Sequence, residues 1–176
     1  MVDIRPMRTC PYCAAPLEAT DREGNVRPEC SVCEFRQYAN PVPATNAAIV
    51  RDGHVVLIRR GLDPYAGQWA LPGGFVEWDE EPADTTVREA KEETGLDVRL
   101  TGHGVFLLAQ DDPRTNVVCA TYPAEPVEPG LPEPVGGDDA AEAAWVRLDA
   151  LPRLAFENQE RALVQLGFVS GEDLVV

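Results

Sequence analysis

Pro82-Ala83-Asp84-Thr85-Thr86-Val87-Arg88-Glu89-Ala90-Lys91-Glu92-Glu93-Thr94-Gly95 holds both end signals of a helix. Proline is tolerated in a first helical turn, and glycine is favoured where the chain leaves a helix left-handed. Glu81, at the cap position, is a poor capping residue. With successive residues about 100° apart, Glu89, Glu92 and Glu93 fall within an arc of about 100°. Ala83, Val87, Ala90 and Thr94 gather opposite them and are expected to pack inward. Three carboxylates so close raise one another's proton affinity, a cost that a divalent cation removes. The all-oxygen donor set suits magnesium or manganese, which keep waters beside phosphates. The bland alternative is a solvated acidic face, common in a chain with 30 acidic residues. Arg88, one turn before Glu92, can hold a carboxylate through its planar fork.

Outward from this helix, residues 45–51 and 54–60 read as strands joined by Asp52-Gly53, a strong hairpin signal. Residues 62–74 read as an irregular loop ending in Gly73-Gly74, where the missing side chains allow backbone to approach a metal or phosphate closely. Residues 98–109 and 116–122 are expected to be strands. Residues 123–137, with five prolines and three glycines, are expected to form an exposed loop outside any sheet. A last strand over 143–148 and a helix over 157–166, packed through Leu163 and Leu166, complete an α+β domain with a mixed sheet covered on both faces.

Asn40-Pro41-Val42-Pro43 is a stiff extended connector. It separates a domain over 42–176 from residues 1–38, which have too few aliphatic side chains for a core of their own. That first segment carries Cys10-Pro-Tyr-Cys13 and Cys30-Ser-Val-Cys33. Two such pairs can converge on zinc in a small ribbon, and a rubredoxin-like iron centre has the same spacing. Ala14 and Glu34 stand where a ribbon turn commonly has glycine, so irregular turns are expected. Cys119, in an apolar run, reads as a buried inert thiol. No apolar run approaches the ~20 residues of a membrane span, and the amino terminus has no export pattern. A cytoplasmic protein is expected. Net charge is −15 with Lys91 the single lysine; residues 1–40 carry five arginines against six acids. Such a surface argues against a nucleic-acid partner and for a small phosphorylated one.

The spacing Gly74-x5-Glu80-x7-Arg88-Glu89-Ala90-x-Glu92-Glu93-x-Gly95-Leu96 resembles the complete signature of the Nudix hydrolases. The resemblance covers residues 42–155 well. It implies an α/β/α sandwich preceded by a zinc ribbon. It also implies metal-dependent attack of water on a pyrophosphate. Glu89, Glu92 and Glu93 then resemble the principal metal ligands, and the carbonyl of Gly73 or Gly74 an additional one. Arg88 resembles the residue that orients them, and Glu80 a supporting carboxylate. The general base is Glu89 or an acid of a later loop: Glu133, Asp138, Asp139 or, favoured here, Glu142.

Ribbon-bearing relatives fall into two groups. The NADH-cleaving group has an S-Q-P-W-P-F-P-x-S segment after the signature. Residues 104–113 show no trace of it, which favours ADP-ribose or FAD as substrate and leaves NADH or NAD as the alternative. A non-hydrolytic nucleotide sensor, or a ribbon that binds another macromolecule, is the competing class, although no signature glutamate is lost. Tyr65 and Trp69 can stack a base or pack the loop rim. Arg59, Arg60 and Arg114 are the basic residues available for phosphate, and the resemblance allows a homodimer built partly on the ribbon.

Overall fold

The computed structural model describes residues 7–112 and 115–171. The chain divides into two compact units, Met1–Pro41 and Val42–Val176. In the first, β1 (Leu17–Arg22) and β2 (Asn25–Cys30) form an antiparallel hairpin. Its two-residue turn, Glu23-Gly24, has both φ positive. The Asp21 carboxylate accepts the Gly24 N–H at 2.9 Å.

The second unit is built on seven strands. These are β3 (Val42–Arg51), β4 (His54–Arg60), β5 (Trp69–Ala70), β6 (Val98–Leu100), β7 (Val105–Ala109), β8 (Val117–Pro126) and β9 (Ala140–Arg147). The sheet path runs β5-β4-β3-β8-β6, with β7 added on β8 and β9 on β4. Strands β3 and β8 are parallel; the other pairs are antiparallel. Asp52-Gly53 makes the expected tight turn, with φ of 49° and 73°.

Helix α1 (Pro82–Thr94) covers one face and α2 (Glu157–Gln165) the other. Ala47, Ile49, Val56 and Ala124 pack with Ala90 of α1, whereas Ala48, Val55 and Leu57 pack with Leu71 and Leu163 on the α2 side. Both faces being covered, the middle of β3 and β4 is an unbroken buried run, without the alternation of a half-exposed strand. This is an α/β/α sandwich with a mixed sheet, the architecture that the resemblance implied. Among the described residues, no helix is long and apolar enough to cross a membrane.

Three expectations need correction. Residues 98–109 are two strands, because Leu100 faces Ala124 and Val105 faces Thr121. Five steps on one strand meet three on β8, so the edge bulges outward between them. The proline-rich stretch enters the sheet as far as Pro126: Pro123 pairs in register with Ala48 of β3, and Pro126 with Val98 of β6. Proline lacks a donor but keeps its acceptor, and the Pro123 carbonyl accepts the Thr101 N–H at 2.9 Å. Finally, Val87 is exposed. The inner side of α1 is Thr86, Ala90, Glu93 and Thr94, about one residue round from the expected arc.

Candidate functional site

Pro82 opens α1, and Gly95 closes it at φ 70° with its N–H on the Lys91 carbonyl. The rotation that exposes Val87 buries Glu93, which is 4% exposed. Glu89 is partly buried and Glu92 exposed, so the three carboxylates stand at three depths. Arg88 ties Glu89 and Glu92 to Glu80. Its Nε and Nη2 donate to the two oxygens of Glu80 at 2.8 and 2.9 Å, and Nη1 donates to Glu89 and Glu92, each at 2.8 Å. The Arg88 guanidinium and the Thr85 hydroxyl hold Glu80 down at about 2. Burial raises Glu89 against the pull of Arg88. Burial also pushes Glu93 up to about 8, opposed by the Gly73 N–H and reinforced by the charges of Glu89 and Asp139.

The strip before the helix runs beside β3 through hydrogen bonds from Thr45 N to Gly74 O, Ala47 N to Pro72 O and Val76 N to Pro43 O. Gly73 donates its N–H to Glu93 Oε2 at 2.7 Å. A Cβ on Gly73 would lie 2.1 Å from the Thr45 carbonyl oxygen, and one on Gly74 would lie 2.4 Å from Glu89 Oε1. Two glycines are therefore required by the close passage of strand and carboxylate. They bring the backbone beside two acidic side chains, whose hard carboxylate oxygens fit magnesium or manganese. Each carboxylate here is turned to the guanidinium or to an amide. Among the described residues, only the four ribbon cysteines gather three or more such ligand atoms within 4.8 Å.

The later acidic loop separates by position. Glu142 faces Arg59 across the β4–β9 ladder and pairs with it at 2.9 Å, half-exposed. Asp138 adds negative charge to Glu89, and Asp139 to Glu93. A register shift at Arg59/Arg60 and the hydrogen bond from Gly61 N to Asp139 O carry this loop toward the carboxylates. Of the expected base-stacking rings, Trp69 lies under the Arg59 guanidinium at 4.6 Å. Tyr65 packs edge-on to Phe156 and donates its hydroxyl to the Asp111 carbonyl. Both rings thus have partners within the fold. Arg60 is anchored by the Pro64 carbonyl at 2.8 Å and helps line a cavity with Gly73 and Gly74. Arg114 lies outside the described residues.

That cavity was missed by sequence reasoning. About 100 Å³ in volume, it opens between the Gly73-Gly74 strip, β3, β8 and the first turn of α2. Its polar lining includes Asn46, Asp112, Asn158 and Gln159, which no spacing in the chain connects. Helix α2 has no cap from its own Phe156; instead the Asp111 carboxylate accepts the Glu157 N–H at 2.8 Å.

In the ribbon, Cys10 and Cys30 are buried and Cys13 and Cys33 exposed. Closest sulfur separations are 3.4, 3.5 and 3.6 Å. A tetrahedral zinc with bonds of about 2.3 Å needs sulfurs about 3.8 Å apart, so the four thiols fit one. The turns are more regular than expected: Ala14 and Glu34 both adopt positive φ, 58° and 60°, and return their N–H groups to Cys10 and Cys30. The N–H groups of Cys33 and Val32 lower Cys30 to about 7, which favours its thiolate.

Residues 41–166 match the NUDIX domain family. The ADP-ribose pyrophosphatase of Methanocaldococcus jannaschii is 38% identical over 128 residues, which is 72% of this chain and 74% of that protein. The NAD-capped RNA hydrolase NudC of Pseudomonas aeruginosa is 30% identical over 151 residues, 85% of this chain. This chain spans about half of that relative's length, 51%. A NUDIX hydrolase structure from Nitrosomonas europaea superposes with a TM-score of 0.74 at 24% identity, covering 89% of this chain and 88% of that one; the likeness is one of fold.

Proposed function

The chain belongs to the Nudix family, as a hydrolase of nucleoside diphosphate-linked substrates, and from that premise we propose that it cuts the pyrophosphate of ADP-ribosyl compounds, ADP-ribose and NAD(H). The observation that carries this reading is the Gly73-Gly74 strip laid against Glu89 and Glu93, beside a cavity able to take part of a nucleotide. The relative at 38% identity supports ADP-ribose. NAD(H), set second on the missing hallmark, gains equal standing from the NudC likeness. That likeness covers 85% of 176 residues, about 150, more than the 135 that follow Pro41, so it reaches into the ribbon unit.

Glu89, Glu92 and Glu93, with a carbonyl of Gly73 or Gly74, would hold Mg²⁺ or Mn²⁺. Bound there, the ion supplies charge neutralisation and a more acidic water. Arg88 fixes Glu89 and Glu92 on one side, and the Gly73 N–H fixes Glu93 on the other. Glu89 is assigned as general base, since burial raises its affinity for the proton of the attacking water toward working pH. Glu142, committed to Arg59, keeps that cation in place over Trp69. Arg60, held by the Pro64 carbonyl at the cavity wall, is assigned to a substrate phosphate.

The test is a comparison of kcat/KM for ADP-ribose, NADH, NAD, FAD and nucleoside triphosphates at fixed magnesium and manganese, with products identified by mass. ADP-ribose or NAD(H) is expected to lead, with AMP as the common product. A triphosphate or FAD in front would overturn the substrate assignment.

The ribbon is assigned a structural zinc, in a protein whose free thiols suit the reducing cytoplasm. Elemental analysis of freshly purified protein is expected to find about one zinc per chain. A strong chelator is expected to unfold Met1–Pro41 while leaving the core of the second unit protected from hydrogen exchange, because the metal supplies the folding energy of a segment without its own core. Stoichiometric iron, or no metal, would defeat the assignment.

A further inference from the structure

Among the described residues that line the cavity beside Gly73-Gly74, one has a buried polar atom with no partner. Asn158 is 4% exposed, and its Oδ1 has no hydrogen-bond partner. Its neighbours are fully occupied with one another. The Leu71 N–H donates to Gln159 Oε1, Gln159 Nε2 donates to Asn46 Oδ1, and Asn46 Nδ2 reaches the Cys119 sulfur. The Asn158 side chain lies close enough to the Cys119 thiol to interact with it. Asn158 Oδ1 is the unpaired acceptor in a residue that, with Phe75, lines this space. An unpaired buried acceptor destabilises the fold, so one kept beside a candidate active site calls for a donor from outside. The space is about 100 Å³, against about 150 Å³ for a known cavity that holds a benzene, so it takes the edge of a single ring rather than a whole dinucleotide.

We infer that this cavity is the base-recognition pocket, and that Asn158 Oδ1 accepts a hydrogen bond from the exocyclic amino group of a flat heteroaromatic ring. This rests on the ADP-ribosyl reading, in which two rings carry such a group: adenine through its 6-amino group and nicotinamide through its carboxamide. Phe75 offers an apolar face to the ring, and the position next to Gly73-Gly74 lets the attached diphosphate reach the carboxylates of α1. A ring with a carbonyl or carboxylate in place of the amino group meets Asn158 Oδ1 acceptor against acceptor and is rejected.

Calorimetric binding of AMP against IMP, and of nicotinamide mononucleotide against nicotinic acid mononucleotide, tests this with magnesium present. The wild type is expected to prefer the amino-bearing member of one pair by on the order of 10- to 100-fold, and the pair that shows it identifies the ring. Asn158→Ala is expected to bring that ratio near one, and Asn158→Asp, which keeps an acceptor, to preserve it. A merely structural Asn158 would weaken both members alike and leave the ratio unchanged, which overturns the inference, as does a wild type with no preference in either pair. Turnover of ADP-ribose and its inosine analogue separates the two readings. Equal cleavage of both, with no preference in either mononucleotide pair, keeps the proposed function and removes the pocket; a preference in one pair without cleavage of any ADP-ribosyl compound does the reverse.

Discussion

Replacing Glu93 with glutamine is expected to lower kcat on the order of 10²- to 10³-fold while making the metal-free protein more stable at neutral pH. Glutamine keeps the length of the side chain and can still accept the Gly73 N–H, so the strip beside β3 is retained. What it removes is an ionisable carboxyl buried at 4% exposure. Burial first, then the neighbouring charges of Glu89 and Asp139, holds Glu93 at about 8 against the Gly73 N–H. A carboxyl raised in this way binds its proton more tightly folded than unfolded. Its contribution to stability is therefore whole below about 4.5, the unfolded value, and is lost as pH rises toward 8. Melting of chelator-treated wild type is expected to weaken across that window, and melting of Glu93→Gln to stay flatter. A divalent cation should reverse the order at pH 7.5, stabilising the wild type more than the variant because it binds only the folded carboxylate set. Equal pH slopes in the two metal-free proteins would show that Glu93 is not a buried charge of this kind. Full activity in the variant at limiting metal would remove it from the site.

Much of this frame is legible along the chain because its signals are local. Asp52-Gly53 fixes a hairpin by turn geometry, and Pro82 with Gly95 fixes both ends of a helix, irrespective of the rest of the fold. The reading weakens where a tertiary partner decides. Val87 and Glu93 exchange their expected environments because the strip at Gly73 offers Glu93 an N–H, which a projection of the helix alone cannot contain. Pro123 and Pro126 join a strand because their neighbours ask only for carbonyls. Glu142 could be recognised as an acid near the last strand, but its commitment to Arg59 depends on the β4–β9 register. The cavity residues Asn46 and Gln159 are 113 positions apart, and their meeting follows from α2 crossing the sheet. No periodicity or motif carries that information.

Arg88 lies at the other extreme, since the whole of its geometry serves neighbours in sequence, and Arg88→Lys is expected to cost on the order of 10²-fold in kcat/KM. The planar guanidinium makes four hydrogen bonds, two to Glu80 and one each to Glu89 and Glu92. An ammonium is a point charge with no fork; it can approach one carboxylate well but cannot hold all three at fixed angles. The charge is kept, so loss of electrostatics alone predicts little change, and the effect isolates orientation. Half-saturation for magnesium should shift upward as Glu89 and Glu92 lose their shared tether, whereas KM for the nucleotide should move less. Stability offers an independent reading. The Arg88 fork and the Thr85 hydroxyl hold Glu80 at about 2, below the ordinary 4.5, so their benefit is present above about 4.5 and lost as pH falls toward 2. The difference in Tm between wild type and Arg88→Lys should then be several degrees at pH 7 and narrow steadily below about 4.5. A constant difference across that range, or wild-type magnesium dependence in the variant, would mean that the fork does not organise these carboxylates.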